Sequence, residues 1–317
     1  MTAAMRAVVQ RAFGGPEVLE TAEVDRPGPV MNEVLVRVHA AGVNQIDALV
    51  RSGTLPLLGP PPFTLGWDLS GVVVETAPGV TRFAVGDEVF GMPCLPRAAA
   101  AYAEYAVAPS RQLVRKPASL DHREAAGLPL VGLTAWQALV DTARVTAGDR
   151  VLVHAAGGGV GHLAVQLAKA RGAEVIATAS AGKADFVRGI GADQVIDYRA
   201  RDFTEEAGDV DVVLDTLGGD LAVRSLDVLR PGGLLVTVVD IGDETLVRRA
   251  GERGLRCLAV TCEPDQVGLA ALVELVEAGR LRPHVGQVLP LESAAEAHTL
   301  LASAAFTGKI VLTPDGR

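Results

Sequence analysis

From Arg150 onward, two hydrophobic rhythms alternate along the chain. Val151–Ala155, Glu174–Thr178, Gln194–Asp197, Val210–Leu214, Leu234–Val239 and Arg256–Thr261 are short runs rich in Val, Ile and Leu. They predict strands covered on both faces. Between them, Val160–Arg171, Ala184–Gly189 and Asp220–Leu229 space their apolar residues by three and four and predict helices. Gly172 stops the first, and Pro231-Gly232-Gly233 is expected to close the last. Strands joined through helices pair in parallel, because the crossover returns each strand to the same end of the sheet. The expected class is therefore α/β, with a doubly wound parallel sheet under helices on both faces.

The first 120 or so residues follow a different pattern. β-rich runs at Arg6–Gln10, Glu33–Ala40 and Leu69–Glu75 are punctuated by Gly14-Gly15-Pro16, Pro27-Gly28-Pro29, Gly59-Pro60-Pro61-Pro62 and Gly86-Asp87. This spacing predicts a β barrel or folded antiparallel sheet. Helices are expected at Asp121–Leu128 and Leu133–Thr142. The tail breaks the rhythm again. A helix at Gln266–Ala278 and a turn at Gly279–Arg282 precede strands at Val285–Leu289 and Lys309–Thr313, which flank a helix at Ser293–Ser303. The parallel sheet has no place for those strands, so they are expected to return to the first domain. The expected boundaries are 1–124 for a first domain, 125–264 for the parallel sheet and 265–317 for the returning segment.

Composition narrows the partners. Among 317 residues the formal net charge is −9, and no basic run occurs, so an acidic surface would repel a phosphate backbone and nucleic acid is not an expected partner. Three cysteines, Cys94, Cys257 and Cys262, make no disulfide framework and suit a reducing compartment. No uninterrupted apolar run reaches the ~18 residues a membrane span needs, and the segment after Met1 lacks the pattern of a secretory signal. A cytoplasmic location is expected, and either Met1 or Met5 could start the chain.

The most informative motif joins Val151–Ala155 to the following helix through Ala156-Gly157-Gly158-Gly159-Val160-Gly161. Gly158 and Gly161 hold the last two positions of G-x-G-x-x-G, and Ala156 holds the first. Glycine brings backbone up to a pyrophosphate, and the helix start offers unpaired N–H groups and the positive end of a dipole. In its strand–loop–helix setting the motif predicts a Rossmann domain that binds a dinucleotide. An NAD site usually carries an acid ~20 residues past the glycines, on the ribose 2′-hydroxyl. Here Ala177-Thr-Ala-Ser-Ala-Gly-Lys183 has none, while Ser180 and Lys183 could hold a 2′-phosphate and Tyr198 could close over it. The expected cofactor is NADPH.

Further motifs fall in the order and spacing of a known family. They are Ala41-Gly-Val-Asn-Gln-Ile-Asp47, Leu65-Gly-Trp-Asp-Leu-Ser-Gly71, Val85-Gly-Asp-Glu-Val-Phe-Gly91, Tyr102-Ala-Glu-Tyr105, Gly132-Leu-Thr-Ala-Trp136, the glycine loop and Gly308-Lys-Ile-Val-Leu312. With them the chain resembles the medium-chain dehydrogenase/reductase superfamily, in its zinc-independent quinone oxidoreductase branch. The resemblance covers essentially the whole chain. It implies a GroES-like β-barrel catalytic domain beside the Rossmann domain, with the cofactor in the cleft between them.

Zinc-dependent relatives place a ligand Cys where this chain has Asn44, and a ligand His where it has Trp67. An amide and an indole cannot replace thiolate and imidazole, the four-cysteine structural lobe is missing, and the six histidines form no ligand pattern, so no metal is expected. Without that Lewis acid, simple alcohol oxidation is disfavoured, and a conjugated acceptor that delocalises the incoming charge is favoured. The resemblance places Asn44 beside the nicotinamide, with its amide N–H on the acceptor carbonyl. It gives Asp47 a part in orienting the Asn44 loop and puts Thr134 near the reactive ring. Phe63 and Trp67 would line the acceptor pocket, and Tyr102 and Tyr105 would pack the barrel. Leu49 and Leu55 stand where many relatives carry tyrosine, which leaves the proton source unassigned.

Reduction of a quinone is the preferred activity. Reduction of an activated C=C bond, as by an enoyl or 2-alkenal reductase, and NADPH binding without turnover remain open. The last sheet strand, within Gly254–Cys262, is expected at an edge. Its pairing across a two-fold axis would make a homodimer.

Overall fold

The computed structural model describes residues 3–315. The chain divides into two compact units. One runs up to Leu130 and takes in Glu263–Val273 and the segment from Pro283 on; the other comprises Val131–Cys262 with Glu274–Arg282.

The first unit begins with strands β1 (Ala4–Gln10), β2 (Leu19–Asp25), β3 (Glu33–Val43), β4 (Phe63–Thr64), β5 (Asp68–Thr76), β6 (Glu88–Gly91), β7 (Tyr105–Pro109) and β8 (Leu113–Arg115). β2-β1-β4 form a small antiparallel sheet. β3 is the spine of the larger one and pairs with β5 and β7. Val34, Leu35, Val36 and Val38 are buried along it, which anchors its register. β5 lies so close to β3 that a Cβ at Gly71 would stand 2.0 Å from the Arg37 carbonyl oxygen, so only glycine fits there.

The second unit holds β9 (Arg150–Val153), β10 (Glu174–Ala179), β11 (Gln194–Asp197), β12 (Val210–Asp215), β13 (Leu229–Thr237) and β14 (Arg256–Ala259). All neighbours pair in parallel, in the order β11-β10-β9-β12-β13-β14. This is the doubly wound Rossmann order, with the switch point beside β9. Val151, Leu152 and Val153 on β9 are completely buried, as a strand covered on both faces requires. The tail then supplies β15 (Val285–Pro290) and β16 (Lys309–Thr313). β16 runs antiparallel to β3, with Ile310 opposite Val43, and so belongs to the first unit's sheet. No helix among the described residues is long and apolar enough to cross a membrane.

Several local expectations change. The helix expected at Asp220–Leu229 ends at Ser225, and Pro231-Gly232-Gly233 lies inside β13 rather than capping a helix. Val210 faces Leu229 but Val212 faces Leu234, so the extra residues loop out of the ladder. Arg230, Pro231 and Gly232 are exposed there, where a proline's missing N–H costs nothing. β6, β7 and β8 are only 4, 5 and 3 residues long and β2 is largely exposed, so no clear apolar alternation marks them in the sequence. The expected helix Leu133–Thr142 is a helix at Pro129–Trp136 that widens to π geometry over Gln137–Thr142. The segment after Asn44, expected as a loop, is a helix, Gln45–Ser52, closed by Gly53 at φ +82°.

Candidate functional site

In the second unit, the glycine loop leaves β9 through Ala155, whose φ of +48° turns the chain back. Two bonds from β10 hold this corner: Ala156 N–H donates to Thr178 O at 3.0 Å, and Ala155 N–H to Thr178 Oγ1 at 3.3 Å. Gly158 is the N-cap of the helix Gly159–Ala170, and His162 folds back to place Nδ1 2.9 Å from Gly158 O. The first-turn N–H groups of Gly159, Val160 and Gly161 have no carbonyl one turn earlier within the helix to receive them.

The glycines do different work. A Cβ at Gly161 would lie 2.3 Å from Ala155 O and 2.7 Å from Ala156 Cα, so Gly161 lets the helix close on the strand. At Gly158 the same atom would meet only Ala155 O within 4 Å, at 3.2 Å, so the space in front of Gly158 is open to a ligand. A pyrophosphate fits this cradle: bare backbone, open space and a helix N-terminus converge on it.

At the end of β10, Ser180 caps a short turn and accepts the N–H of Lys183 at 2.9 Å. The stem of Lys183 lies over the loop, its Cδ 2.8 Å from where a Gly157 Cβ would be. Burial lowers the Lys183 pKa, and the nearby Arg199 guanidinium lowers it further. Tyr198 is exposed, with the Arg199 guanidinium 5.6 Å from its ring centre. Arg199, next in the chain to Tyr198, was not singled out in the sequence, where no pattern distinguishes it from the other surface arginines.

The first unit carries a buried polar cluster. Asn44 (3 % exposed) donates from Nδ2 to Asp68 Oδ2 at 2.9 Å and approaches Gly42 O at only 3.4 Å. Its Oδ1 accepts from Lys309 Nζ at 2.5 Å, and Lys309 also donates to Val43 O at 2.8 Å. The ammonium is 3.7 Å from Asp68 Oδ2, and Leu130 N–H donates to Asp68 Oδ1 at 2.8 Å. Burial pushes Asp68 up and Lys309 down, and each charge opposes the other's shift.

Asp47 ties the same segment from behind. Its carboxylate accepts Asn44 N–H at 2.8 Å, Gly66 N–H at 3.2 Å and Tyr102 O–H at 3.1 Å. Complete burial outweighs these donors and raises its pKa to about 7. Tyr102 in turn meets His298 Nε2 at 3.3 Å, and Arg51 Nη1 lies 2.9 Å from His298 Nδ1. A guanidinium can only donate, so Nδ1 accepts and Nε2 carries the proton toward Tyr102. Burial brings the His298 pKa down to about 3, which keeps the ring neutral.

The structure brings together Asn44 and Asp47, and adds Asp68, Tyr102, His298 and Lys309, which sequence reasoning left out of the site. Tyr102 is therefore a hydrogen-bonding member of the cluster, not simple barrel packing. Trp67, expected at the acceptor pocket, is 1 % exposed and donates from Nε1 to Arg97 O at 2.8 Å; it offers the acceptor no surface. Phe63 is half-buried on β4 and packs against Phe13, ring centres 6.2 Å apart. Thr134 is buried in the helix Pro129–Trp136, in the second unit. Among the described residues, no group of three or more His, Cys, Asp or Glu is placed to hold a metal ion.

Two family models match the chain: an alcohol dehydrogenase GroES-like domain over residues 30–118 and a zinc-binding dehydrogenase over residues 190–312. The quinone oxidoreductase of Sus scrofa is 36% identical, across 97% of this chain and 97% of its own. A 2-haloacrylate reductase of a Burkholderia species is 37% identical, across 98% and 99%. The structure of the quinone oxidoreductase from Coxiella burnetii superposes with a TM-score of 0.93 at 36% identity, covering 98% of this chain and 99% of that one. The Escherichia coli quinone oxidoreductase complexed with NADPH superposes at 0.86 with 31% identity, covering 98% and 100%.

The two glycines separate binding from folding. Gly158→Val should abolish NADPH binding by calorimetry while the unfolding temperature changes little. Gly161→Ala should destabilise the fold itself by about 1–3 kcal/mol through overpacking against Ala155. Retained affinity in the first variant would place the phosphates elsewhere.

Asp47 gives stability a pH dependence of known sign. The native carboxyl keeps its proton up to about pH 7, whereas an unfolded one releases it near 3.8. Between those values the native state binds more protons, so stability falls as pH rises through this window. Thermal unfolding across pH 4.5–7.5 should show this loss in the wild type and a flatter profile in Asp47→Asn. Parallel profiles would remove Asp47 as the cause.

Proposed function

Because the chain belongs to the quinone oxidoreductase family of the medium-chain dehydrogenase/reductase superfamily, we propose that it is a zinc-independent, NADPH-dependent reductase of quinones and similarly conjugated carbonyl compounds. One observation carries the reading. The same chain carries a phosphate cradle at Gly157–Gly161 and, in its first unit, a buried amide–carboxylate–ammonium cluster where a zinc enzyme would need thiolate and imidazole. When bound, the nicotinamide supplies a hydride; the net reaction also consumes one proton and yields the hydroquinone.

The first unit is the catalytic part of this proposal and the second the cofactor-binding part. Gly158 admits the pyrophosphate to the backbone, and the N–H groups of Gly159, Val160 and Gly161 hold it, with Ala156 shaping the turn. Ser180, Lys183 and Arg199 meet the 2′-phosphate, beside Tyr198. Asn44 Nδ2 has one hydrogen committed to Asp68. The other makes only the long 3.4 Å contact with Gly42 O and is the donor that remains for an acceptor carbonyl. Asp47 fixes the Asn44 backbone, Thr134 packs toward the reactive ring, and Phe63 gives the acceptor an apolar wall.

Reduction of an activated C=C bond is the second reading, favoured by the likeness to a 2-haloacrylate reductase. A carbonyl held by Asn44 would draw hydride to the β-carbon in the same way. Among the described residues none of the three cysteines forms a disulfide, which supports a cytoplasmic location.

A homodimer belongs to the same proposal. Among the described residues β14 pairs only with β13, and Leu258 upon it is 45% exposed. Val260 N–H is spent on Thr237 O, so alternation turns the N–H of Ala259 toward the open edge.

Three measurements test these statements. NADPH should bind at least tenfold tighter than NADH, ~1.4 kcal/mol, with the gap narrowed by Lys183→Ala or Arg199→Ala. Oxidation of NADPH should be followed with ortho-quinones, para-quinones and short enals. Turnover of enals alone selects the second reading; no turnover with any acceptor defeats both. In light scattering, a mass near the 32.8 kDa chain at micromolar protein would reject the dimer; if it forms, Ala259→Pro should split it.

A further inference from the structure

A primary amide such as that of Asn44 can be turned by 180° with almost no change of shape, exchanging its donor and its acceptor. Which way it faces decides whether the site offers an N–H to a carbonyl. Here a full charge stands against each end. Lys309 Nζ lies on Oδ1 at 2.5 Å, and Asp68 Oδ2 lies on Nδ2 at 2.9 Å. Turning the amide would set its NH2 against an ammonium and its oxygen against a carboxylate, two repulsive contacts in place of two charge-assisted hydrogen bonds. All three side chains are buried, so water cannot screen either contact.

The partners come from three separate segments. Asn44 follows β3, Asp68 begins β5, and Lys309 begins β16. Only four of the chain's 29 cationic side chains are lysines; the other 25 are arginines. At position 309 the lysine ammonium meets Val43 O, Asn44 Oδ1 and Asp68 Oδ2 from one point, which a planar guanidinium of larger span does not do.

Resting on the reductase reading, we propose that Lys309 and Asp68 are positioning residues that clamp the Asn44 carboxamide in a single orientation, with one Nδ2 hydrogen held ready for the carbonyl of the acceptor. Neither residue touches the acceptor. Both act through Asn44, so their loss should lower turnover and leave cofactor binding alone.

The sequence makes the clamp observable directly. The chain has only two asparagines, Asn44 and the exposed Asn32, so asparagine-selective 15N labelling gives two side-chain amide pairs. In the wild type, the Asn44 pair should exchange with solvent at least 100-fold more slowly than the Asn32 pair. Equal exchange rates would overturn the clamp, whatever the variants do.

Lys309→Met should then speed solvent exchange of the Asn44 amide protons at least tenfold toward the Asn32 rate. It should lower kcat with the best quinone at least tenfold and leave the Kd for NADPH within twofold. Lys309→Gln returns a neutral donor and should recover part of the kcat. A Lys309→Met protein that frees the carboxamide yet keeps its kcat would overturn the positioning role. A wild type that reduces no quinone or enone would overturn the reductase reading and the positioning role together. The amide exchange is read without turnover and judges the clamp by itself.

Discussion

A charge withdrawn from water must find its partners within hydrogen-bond reach, and Lys309 meets this demand on segments remote in sequence. Its acceptors are at residues 43, 44 and 68, and β16 reaches them only by pairing with β3. The tail's return to the first sheet and the state of Asn44 are therefore one event. A chain that left β16 undocked would leave Asp68 buried opposite an amide, without its countercharge.

The same logic extends outward through Asp47. Its three donors secure the start of the helix Gln45–Ser52, the Gly66 backbone and Tyr102, and Tyr102 continues through a neutral His298 to Arg51. Cost and organisation come together there: a carboxyl that titrates near neutrality weakens the fold as it ionises, yet it fixes the segment that carries Asn44. His154 in the second unit shows the quieter alternative. It is wholly buried, bonded to Thr178 and Ser225, and held neutral with a pKa of about 4, so it costs no charge.

The glycine loop rests on a different constraint, the size of one methyl group. At Gly161 the methyl would collide with the protein, and at Gly158 it would meet only the Ala155 carbonyl oxygen. One short motif thereby packs tightly at one glycine and leaves the backbone open at another, three residues before it. Beyond it, burial and the neighbouring Arg199 guanidinium lower the proton affinity of Lys183.

By itself, the sequence determined what depends on neighbours along the chain. Continuous apolar runs specified the parallel strands, and glycine spacing specified the tight strand–loop–helix turn after β9. Such features are legible because their physics acts over a few residues. Short half-exposed strands such as β2 were not, since little apolar alternation marks them. Pro231-Gly232-Gly233 misled, because a bulge and a turn use the same residues. Only the tertiary structure decided that Trp67 is core, that Tyr102 bonds to Asp47, and that Lys309 closes on Asn44 and Asp68. Those pairings join positions 24 to 265 residues apart, and no local pattern records them. They exist because folding buries polar groups together, and each buried group must then take the partner that the sheet brings to it.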